Sequence, residues 1–287
     1  MKLKKQTSTL LIVLLTAIMV FALAACGNND TGSTGADGNG LELFAEGKLT
    51  VATGEPAWEP WVMNDDPESG EGFEAAIVYA LADHLGFAKE DVEWVRTPFD
   101  AAIAAGPKDY DFNLQQFSIT DERKKVVDFS SPYYLEPRVI VSMKDGKFGA
   151  STAIADFKDA LFGAASGDVA IQITEEMIAP TKDVQVFNNL SDVLAALNTG
   201  QIDATILGVA NAKFTVEISD QLSEGGVING VIPGSAEKTD GLGLLLPKDS
   251  PNTAIFSKAL DEMTANGTID KIINEWLSDY NSVPNLK

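Results

Sequence analysis

The chain has one cysteine, one histidine and few basic residues, and each shortage excludes a class of function. Its 287 residues include 21 Lys and Arg against 42 Asp and Glu, which gives a formal net charge of −21 at pH 7. Because nucleic acids and anionic lipid surfaces are bound by patches of Lys and Arg, this charge argues against both as partners. Cys26 is the only cysteine, so no intramolecular disulfide can form. The acidic loops lack the ligand spacing of a calcium site, and we assign no metal and no cofactor.

The first 25 residues have the pattern of a signal peptide. Three lysines precede an apolar run that ends in small residues at position 25. The tetrapeptide Leu-Ala-Ala-Cys at 23–26 resembles the lipobox of bacterial lipoproteins, in which the cysteine becomes the lipidated first residue; an ordinary signal peptide with an incidental cysteine is the alternative. Residues 26–40 contain Gly, Asn, Asp, Ser and Thr but no large apolar residue, which is typical of a flexible tether. We therefore expect an extracytoplasmic protein, anchored to the outer face of the cell membrane by Cys26.

From Lys48 onward, short β-type runs alternate with helical patterns, and this alternation predicts an α/β protein. The predicted strands are 49–53, 92–95, 110–116, 137–143, 161–165, 184–187 and 202–207. The predicted helices are 73–86, ended by Gly86, then 99–105, and one that is capped by Ser191 and continues through Leu197. Two further helices are predicted near the C-terminus, separated by Asn266-Gly267. Thr268 is expected to cap the second of these, and Tyr280 to lie on its apolar face. The pattern predicts two successive α/β sets followed by a helical tail.

The stretch DFNLQQFSITDERKKVVDFSSPYY at 111–134 makes the sequence specific. It resembles the signature of type 2 periplasmic-type solute-binding proteins for polar amino acids, the receptors of ABC importers. Segments 48–61, 72–74, 97–100 and 198–207 match the same family in order. The resemblance implies two lobes joined by two crossover strands, with residues 41–135 and 244–287 in lobe one and 136–243 in lobe two. It also implies a monomer that closes around a small carboxylate-bearing solute and delivers it to a membrane permease.

The resemblance also carries residue roles. Ser118 and Arg123 fall where the family binds the α-carboxylate of its ligand, with a hydroxyl and a planar guanidinium that pairs with both oxygens. From the charged run 121–125 alone, a surface position for Arg123 would be the better interpretation. Asp168 and Val169 lie in a loop at the start of a lobe-two helix, whose N–H groups would meet the same carboxylate. Helix capping is the favoured role of Asp168.

Other positions match less simply. Trp58 and Phe99 correspond to aromatic residues that sandwich the ligand, with core packing as the alternative for each. Glu55 corresponds to an acid that reaches the distal end of the ligand. Gln116 is a further candidate for ligand binding, and Phe117, between Gln116 and Ser118, lies where relatives contribute mainly backbone. At Gly208 the chain departs from the family, because an Asp that pairs with the ligand's ammonium is expected there. Either Glu55, Asp168 or the aromatic faces replace this acid, or the ligand lacks a primary ammonium.

Two rival functions remain open at this stage. Dehydratases are known on the same fold, but catalysis needs a positioned acid or base, and the only histidine, His84, lies beside the apolar face of a helix. A buried Glu55 could serve as an acid. A ligand-sensing module that signals through a partner is the third alternative. Solute binding without catalysis is the function that the sequence favours.

Overall fold

The computed structural model describes residues 40–222, 225–278 and 283–287. The predicted signal peptide, the lipidated cysteine, nearly all of the tether, and Tyr280 lie outside these residues. The described part is built on two five-stranded sheets. In the first sheet the strand order is β2-β1-β3-β10-β4, and the strands are β1 (Leu49–Thr53), β2 (Val92–Arg96), β3 (Phe112–Asn113), β4 (Asp128–Tyr134) and β10 (Leu242–Leu246).

The second sheet has the order β7-β6-β8-β5-β9. Its strands are β5 (Arg138–Met143), β6 (Phe162–Ala165), β7 (Gln185–Phe187), β8 (Ala204–Gly208) and β9 (Gly226–Val231). In each sheet one strand is reversed: β10 runs antiparallel to its neighbours β3 and β4, and β5 runs antiparallel to β8 and β9. The strands β1, β2 and β3 are parallel to one another, as are β6, β7 and β8. The chain passes between the sheets from β4 to β5 and from β9 to β10, and residues 283–287 return to the second sheet.

Helices cover both faces of the sheets, which explains why the central strands are almost entirely apolar. Along β5, Ile140 packs into one buried cluster, whereas Val139 and Val141 pack into another on the opposite face. The helices are α1 (Phe73–His84), α2 (Phe99–Ile103), α3 (Ala170–Ile173), α4 (Leu190–Asn198), α5 (Val209–Lys213), α6 (Thr253–Ala265) and α7 (Thr268–Trp276). π-Helical turns extend α3 over Thr174–Ile178 and α5 over Phe214–Ile218.

Two predicted helix starts are wrong. Asn189, not Ser191, caps α4, because its side chain accepts a hydrogen bond from the Asp192 N–H at 3.0 Å. Thr268 is the first residue of α7, and the Asn266 side chain accepts its N–H at 3.0 Å. The end of α1 agrees with the sequence, since Gly86 follows the helix with φ +86°, a conformation that glycine adopts without strain.

The predicted strand 110–116 is mostly wrong, because only Phe112 and Asn113 pair as β3. The last residues also depart from the expectation that 244–287 lie in lobe one. Asn285 bridges to Val231 of the second sheet, and Leu286 packs into the core on one face of that sheet. Within 40–222, 225–278 and 283–287, no helix is long and apolar enough to span a bilayer.

Candidate ligand-binding site

A cavity of about 350 Å³ lies between the two sheets and is lined by residues from both. Its walls come mainly from segments that follow strands or begin helices, which is where α/β folds place their ligands. Of the residues predicted for the site, seven line this cavity: Glu55, Trp58, Phe99, Gln116, Ser118, Arg123 and Asp168. Val169 and Gly208 do not; Val169 instead packs into the core of the second sheet.

Arg123 is buried in the cavity wall, contrary to the surface position that its charged neighbours suggest. Its side chain joins the two lobes, because Nη1 donates to the Ser118 carbonyl oxygen at 2.8 Å and Nη2 to the Gly167 carbonyl oxygen at 2.7 Å. The guanidinium also lies 5.5 Å from the centroid of the Phe99 ring. Burial lowers the pKa of Arg123 to about 10, and the nearby positive charge of Arg138 acts in the same direction while Asp168 opposes it. The group remains a cation at neutral pH.

Arg138 is a second cation in the wall, which the sequence interpretation missed. It begins β5 and lines the same cavity, and its Nη2 donates to the Ser118 hydroxyl at 2.8 Å. Two guanidinium groups therefore converge on Ser118, one at its hydroxyl and one at its carbonyl oxygen. The sequence did contain a sign of this residue, because Arg138 stands at the start of an apolar run that predicts a buried strand. A charged residue in a buried strand is itself buried.

Another acid lies where a side chain at position 208 would begin. Glu136, in the first crossover, is buried against Gly208, and a Cβ atom built on Gly208 would lie only 2.1 Å from Glu136 Oε2. Burial raises the pKa of the Glu136 carboxyl to about 6, while Arg138 and a backbone hydrogen bond from Ala210 oppose this rise. Sequence reasoning missed Glu136 because it lies far from Gly208 along the chain.

The aromatic residues near the cavity differ in burial. Phe99 is half-buried in the wall and stacks on the buried Phe117, with ring centroids 5.0 Å apart. Trp58 is half-buried in the loop after β1, whereas Trp61 is fully buried. The Trp61 indole N–H donates to Asn211 Oδ1 of α5, which is a further hydrogen bond between the lobes. Phe99 and Trp58 thus offer apolar surface to the cavity and also support its walls.

Glu74 of α1 is a buried acid that positions Gln116 and was not predicted for the site. Its Oε1 accepts the Gln116 backbone N–H at 2.8 Å, and it also accepts hydrogen bonds from the Gln116 side chain and the Tyr133 hydroxyl. Gln116 has φ +52°, so these bonds hold a backbone conformation that is uncommon for a residue with a side chain. Burial raises the pKa of Glu74 to about 7 against the effect of the three hydrogen bonds.

The loop at 166–169 brings lobe two close to lobe one. Asp168 Oδ1 accepts the Ala170 N–H at 2.9 Å at the start of α3, and its carboxylate also lines the cavity. Gly167 has φ +75°, and a Cβ atom there would lie 2.5 Å from Ile103 Cδ1 of the other lobe. The backbone conformation therefore favours glycine at 167, and a side chain there would also have to displace the end of the Ile103 side chain. In this geometry the Gly167 carbonyl oxygen, rather than an N–H group, faces Arg123.

Comparisons with known proteins agree with this architecture. The model of the bacterial extracellular solute-binding proteins, family 3, matches residues 49–279. The arginine-binding extracellular protein ArtP of Bacillus subtilis is 29% identical over 274 residues, covering 93% of this chain and 97% of ArtP. The structure of an ancestral arginine-binding protein bound to arginine superimposes with a TM-score of 0.64 at 28% identity, covering 81% of this chain and 99% of that one. The resemblance inferred from 111–134 and the two-lobed α/β fold are thereby confirmed.

A second solved structure bears on catalysis. It is an ancestral amino-acid-binding protein, described as a precursor of cyclohexadienyl dehydratase, with a TM-score of 0.61, 25% identity and coverage of 80% of this chain and 95% of that one. This neighbour is itself a binding protein, although its line leads to an enzyme.

Proposed function

Because this chain belongs to the bacterial extracellular solute-binding proteins of family 3, we propose that it captures an amino acid or a close relative outside the cell and delivers it to an ABC importer. The observation that carries the proposal is the position of Arg123 and Ser118. Arg123 and Ser118 are both buried between the two lobes. The Arg123 side chain donates hydrogen bonds to one residue of each lobe, Ser118 and Gly167. A buried guanidinium with a neighbouring hydroxyl is suited to a carboxylate, because it offers two parallel donors and the hydroxyl a third.

The charges of the wall favour a solute that carries both signs. Arg123 and Arg138 are the cationic lining residues within the described part of the chain, and Glu55, Asp100 and Asp168 are the anionic ones. A zwitterion with a further cationic or polar group can pair with each kind. L-Arginine is the first solute to test, since ArtP and the ancestral protein are described as arginine-binding.

Closure of the two lobes is the motion that we propose for capture. Chain segments between β4 and β5 and between β9 and β10 join the lobes, and connections of this kind allow a hinge rotation. Contacts across the cleft already join the lobes: Arg123 to Gly167 and Trp61 to Asn211. A solute bound to both lobes would add to these contacts and shift the equilibrium toward the closed form.

A thermal-shift screen over the twenty L-amino acids, amines and organic acids tests the proposal. A solute at about one hundred times its dissociation constant stabilises the folded protein by about 2.7 kcal/mol, which is readily measured. We expect strong stabilisation by at least one amino acid and none by amines that lack a carboxylate. If amines stabilise the protein as well as carboxylates do, the assigned role of Arg123 is wrong.

We further propose that the protein does not transform its solute. The ancestral neighbour on the path to a dehydratase motivates the test, and Glu55, Asp100 and Asp168 are the acids that could act in the cavity. After prolonged incubation of the protein with its strongest ligand, NMR spectra should show the ligand unchanged. A product whose formation depends on Glu55 would establish an enzyme instead.

The last part of the proposal is a lipid anchor at Cys26, supported by the tetrapeptide at 23–26 and the polar tether after it. Cys26→Ala should release soluble protein into the medium, while wild type and a variant with a shortened 28–40 tether stay with the membrane fraction and bind solute equally. Membrane retention of Cys26→Ala after cleavage of the signal peptide would contradict the anchor.

A further inference from the structure

Glu136 is a buried carboxylate with an incomplete set of partners. Its side chain is 1% exposed, and Oε1 accepts only a long hydrogen bond of 3.4 Å from the Ala210 N–H. Its Oε2 has no hydrogen-bond partner among the described residues, because the nearest cationic atom, Arg138 Nη1, lies 3.8 Å away. A buried carboxylate oxygen without a donor is costly, so the position calls for a donor that the described chain does not supply.

Gly208 explains how this carboxylate reaches its place. A Cβ atom at position 208 would lie 2.1 Å from Oε2 and 2.2 Å from the carboxyl carbon of Glu136. The backbone of Gly208 has φ −62°, which any residue adopts, so space alone accounts for the glycine. Glu136 therefore puts its carboxylate into the volume where a side chain at the end of β8 would begin.

The same carboxylate lies next to the groups that we assign to the solute's carboxylate. The Arg138 guanidinium donates from Nη2 to the Ser118 hydroxyl and faces Glu136 Oε2 with Nη1. Arg138, which faces Glu136, lines the cavity, while Glu136 itself is not among the lining residues. The Arg138 guanidinium thus contacts the Ser118 hydroxyl through one nitrogen and approaches Glu136 with the other.

We propose that Glu136 binds the ammonium of an α-amino-acid solute, taking the place of an acid at position 208, and that Gly208 provides the space for it. This inference rests on the proposed function, since it assumes a solute held by Arg123 and Ser118. An ammonium would supply the donor that Oε2 lacks. It would also offset the burial that raises the pKa of Glu136, because a neighbouring cation favours the ionised carboxyl.

In the main alternative, Arg138 alone neutralises Glu136 and the solute has no amine. Two ligands that differ only at the amine distinguish this alternative from the proposal. The L-amino acid that stabilises the wild type most is compared by calorimetry with its 2-hydroxy acid, in which a hydroxyl replaces the amine. The wild type should bind the amino acid at least about 30-fold more tightly. Glu136→Gln, which keeps the shape but removes the charge, should abolish this preference and leave the affinity for the hydroxy acid within about threefold.

Moving the acid back to position 208 provides a readout that a merely structural role would not give. Gly208→Asp alone should lose binding, because two carboxylates would compete for one space. Glu136→Ala should also lose it, whereas the double variant Glu136→Ala/Gly208→Asp should recover most of the preference for the amine. Urea unfolding of each variant shows whether it is folded, and Glu136→Gln remains informative if Glu136→Ala is not.

The outcomes are distinct. If the wild type binds the hydroxy acid as tightly as the amino acid, or if Glu136→Gln weakens both ligands equally, Glu136 does not bind the amine, while carboxylate capture by Arg123 stands. If neither kind of ligand stabilises the wild type, the proposed function fails and this assignment fails with it.

Discussion

Removal of the Arg123 side chain is the most direct test of the site. Arg123 is 8% exposed, so a solute carboxylate beside it would be held in a largely dehydrated environment. Truncating one partner of such a pair costs about 2–5 kcal/mol, because the remaining charge is left buried without its donors. Arg138 stays in the wall and can compensate in part, so we expect a loss of about 3 kcal/mol, or about 150-fold in the dissociation constant.

The assay is isothermal titration of the best amino-acid ligand into wild type, Arg123→Ala and Arg123→Lys. The lysine variant should fall between the other two, because an ammonium offers a point charge in place of two parallel donors. The matched control is Lys125→Ala, which removes a cation from the same turn. The Lys125 side chain is 65% exposed and pairs with Glu122 at the surface. Lys125→Ala should bind within about twofold of wild type.

Arg123→Ala also loses the hydrogen bonds to Ser118 and Gly167, so part of its effect passes through closure of the lobes. Replacing the ligand by an analogue with an amide in place of the carboxylate separates the two contributions. The analogue should bind wild type weakly and be affected little by Arg123→Ala. An unchanged titration of the amino acid with Arg123→Ala would refute the assignment of the carboxylate site.

Two further predictions concern residues around the cavity. The pKa of Glu74 is raised to about 7 in the folded protein, above the 4.5 of the free group, so the folded state keeps this proton to higher pH than the unfolded state. The free energy of unfolding, measured by urea titration, should therefore fall as pH rises from 5 to 7.5. In Glu74→Gln, which has no carboxyl to titrate at this position, the fall should be about 2 kcal/mol smaller than in wild type. Gly167→Ala should weaken ligand binding by about tenfold, because of strain at positive φ and the clash with Ile103, and Ile103→Ala should restore part of the loss in calorimetry.

Each of these has a clear contrary result. Glu71→Gln changes an exposed acid near the start of α1 and should leave the pH dependence as in wild type; an equal change in both variants would mean that burial of Glu74 is not the cause. If Ile103→Ala gives no recovery in the Gly167→Ala background, the two lobes do not meet at this contact in the ligand-bound form.

Much of the cavity wall could be predicted from local sequence. Ser118 and Arg123 lie five positions apart in one continuous motif, and Glu55 and Trp58 follow directly after the apolar run of β1. Strand and helix periodicity places such segments at the ends of strands, where ligands of α/β folds bind. The strands β4, β9 and β10, each of which pairs antiparallel with a segment remote in sequence, were not predicted.

The sequence by itself determined the family and the α/β class and predicted Arg123 as the cation of a carboxylate site, because these depend on contiguous motifs and on the periodicity of apolar residues. Only the tertiary structure brought Glu136 against Gly208, set Arg138 beside Ser118, and laid residues 283–287 on the second sheet. From the sequence alone, Gly208 at the end of β8 indicates that the ammonium-binding acid expected there is missing. The physical reason for the difference is that a carboxylate acts through its position in space, and the folded chain can deliver it to that position from a distant segment.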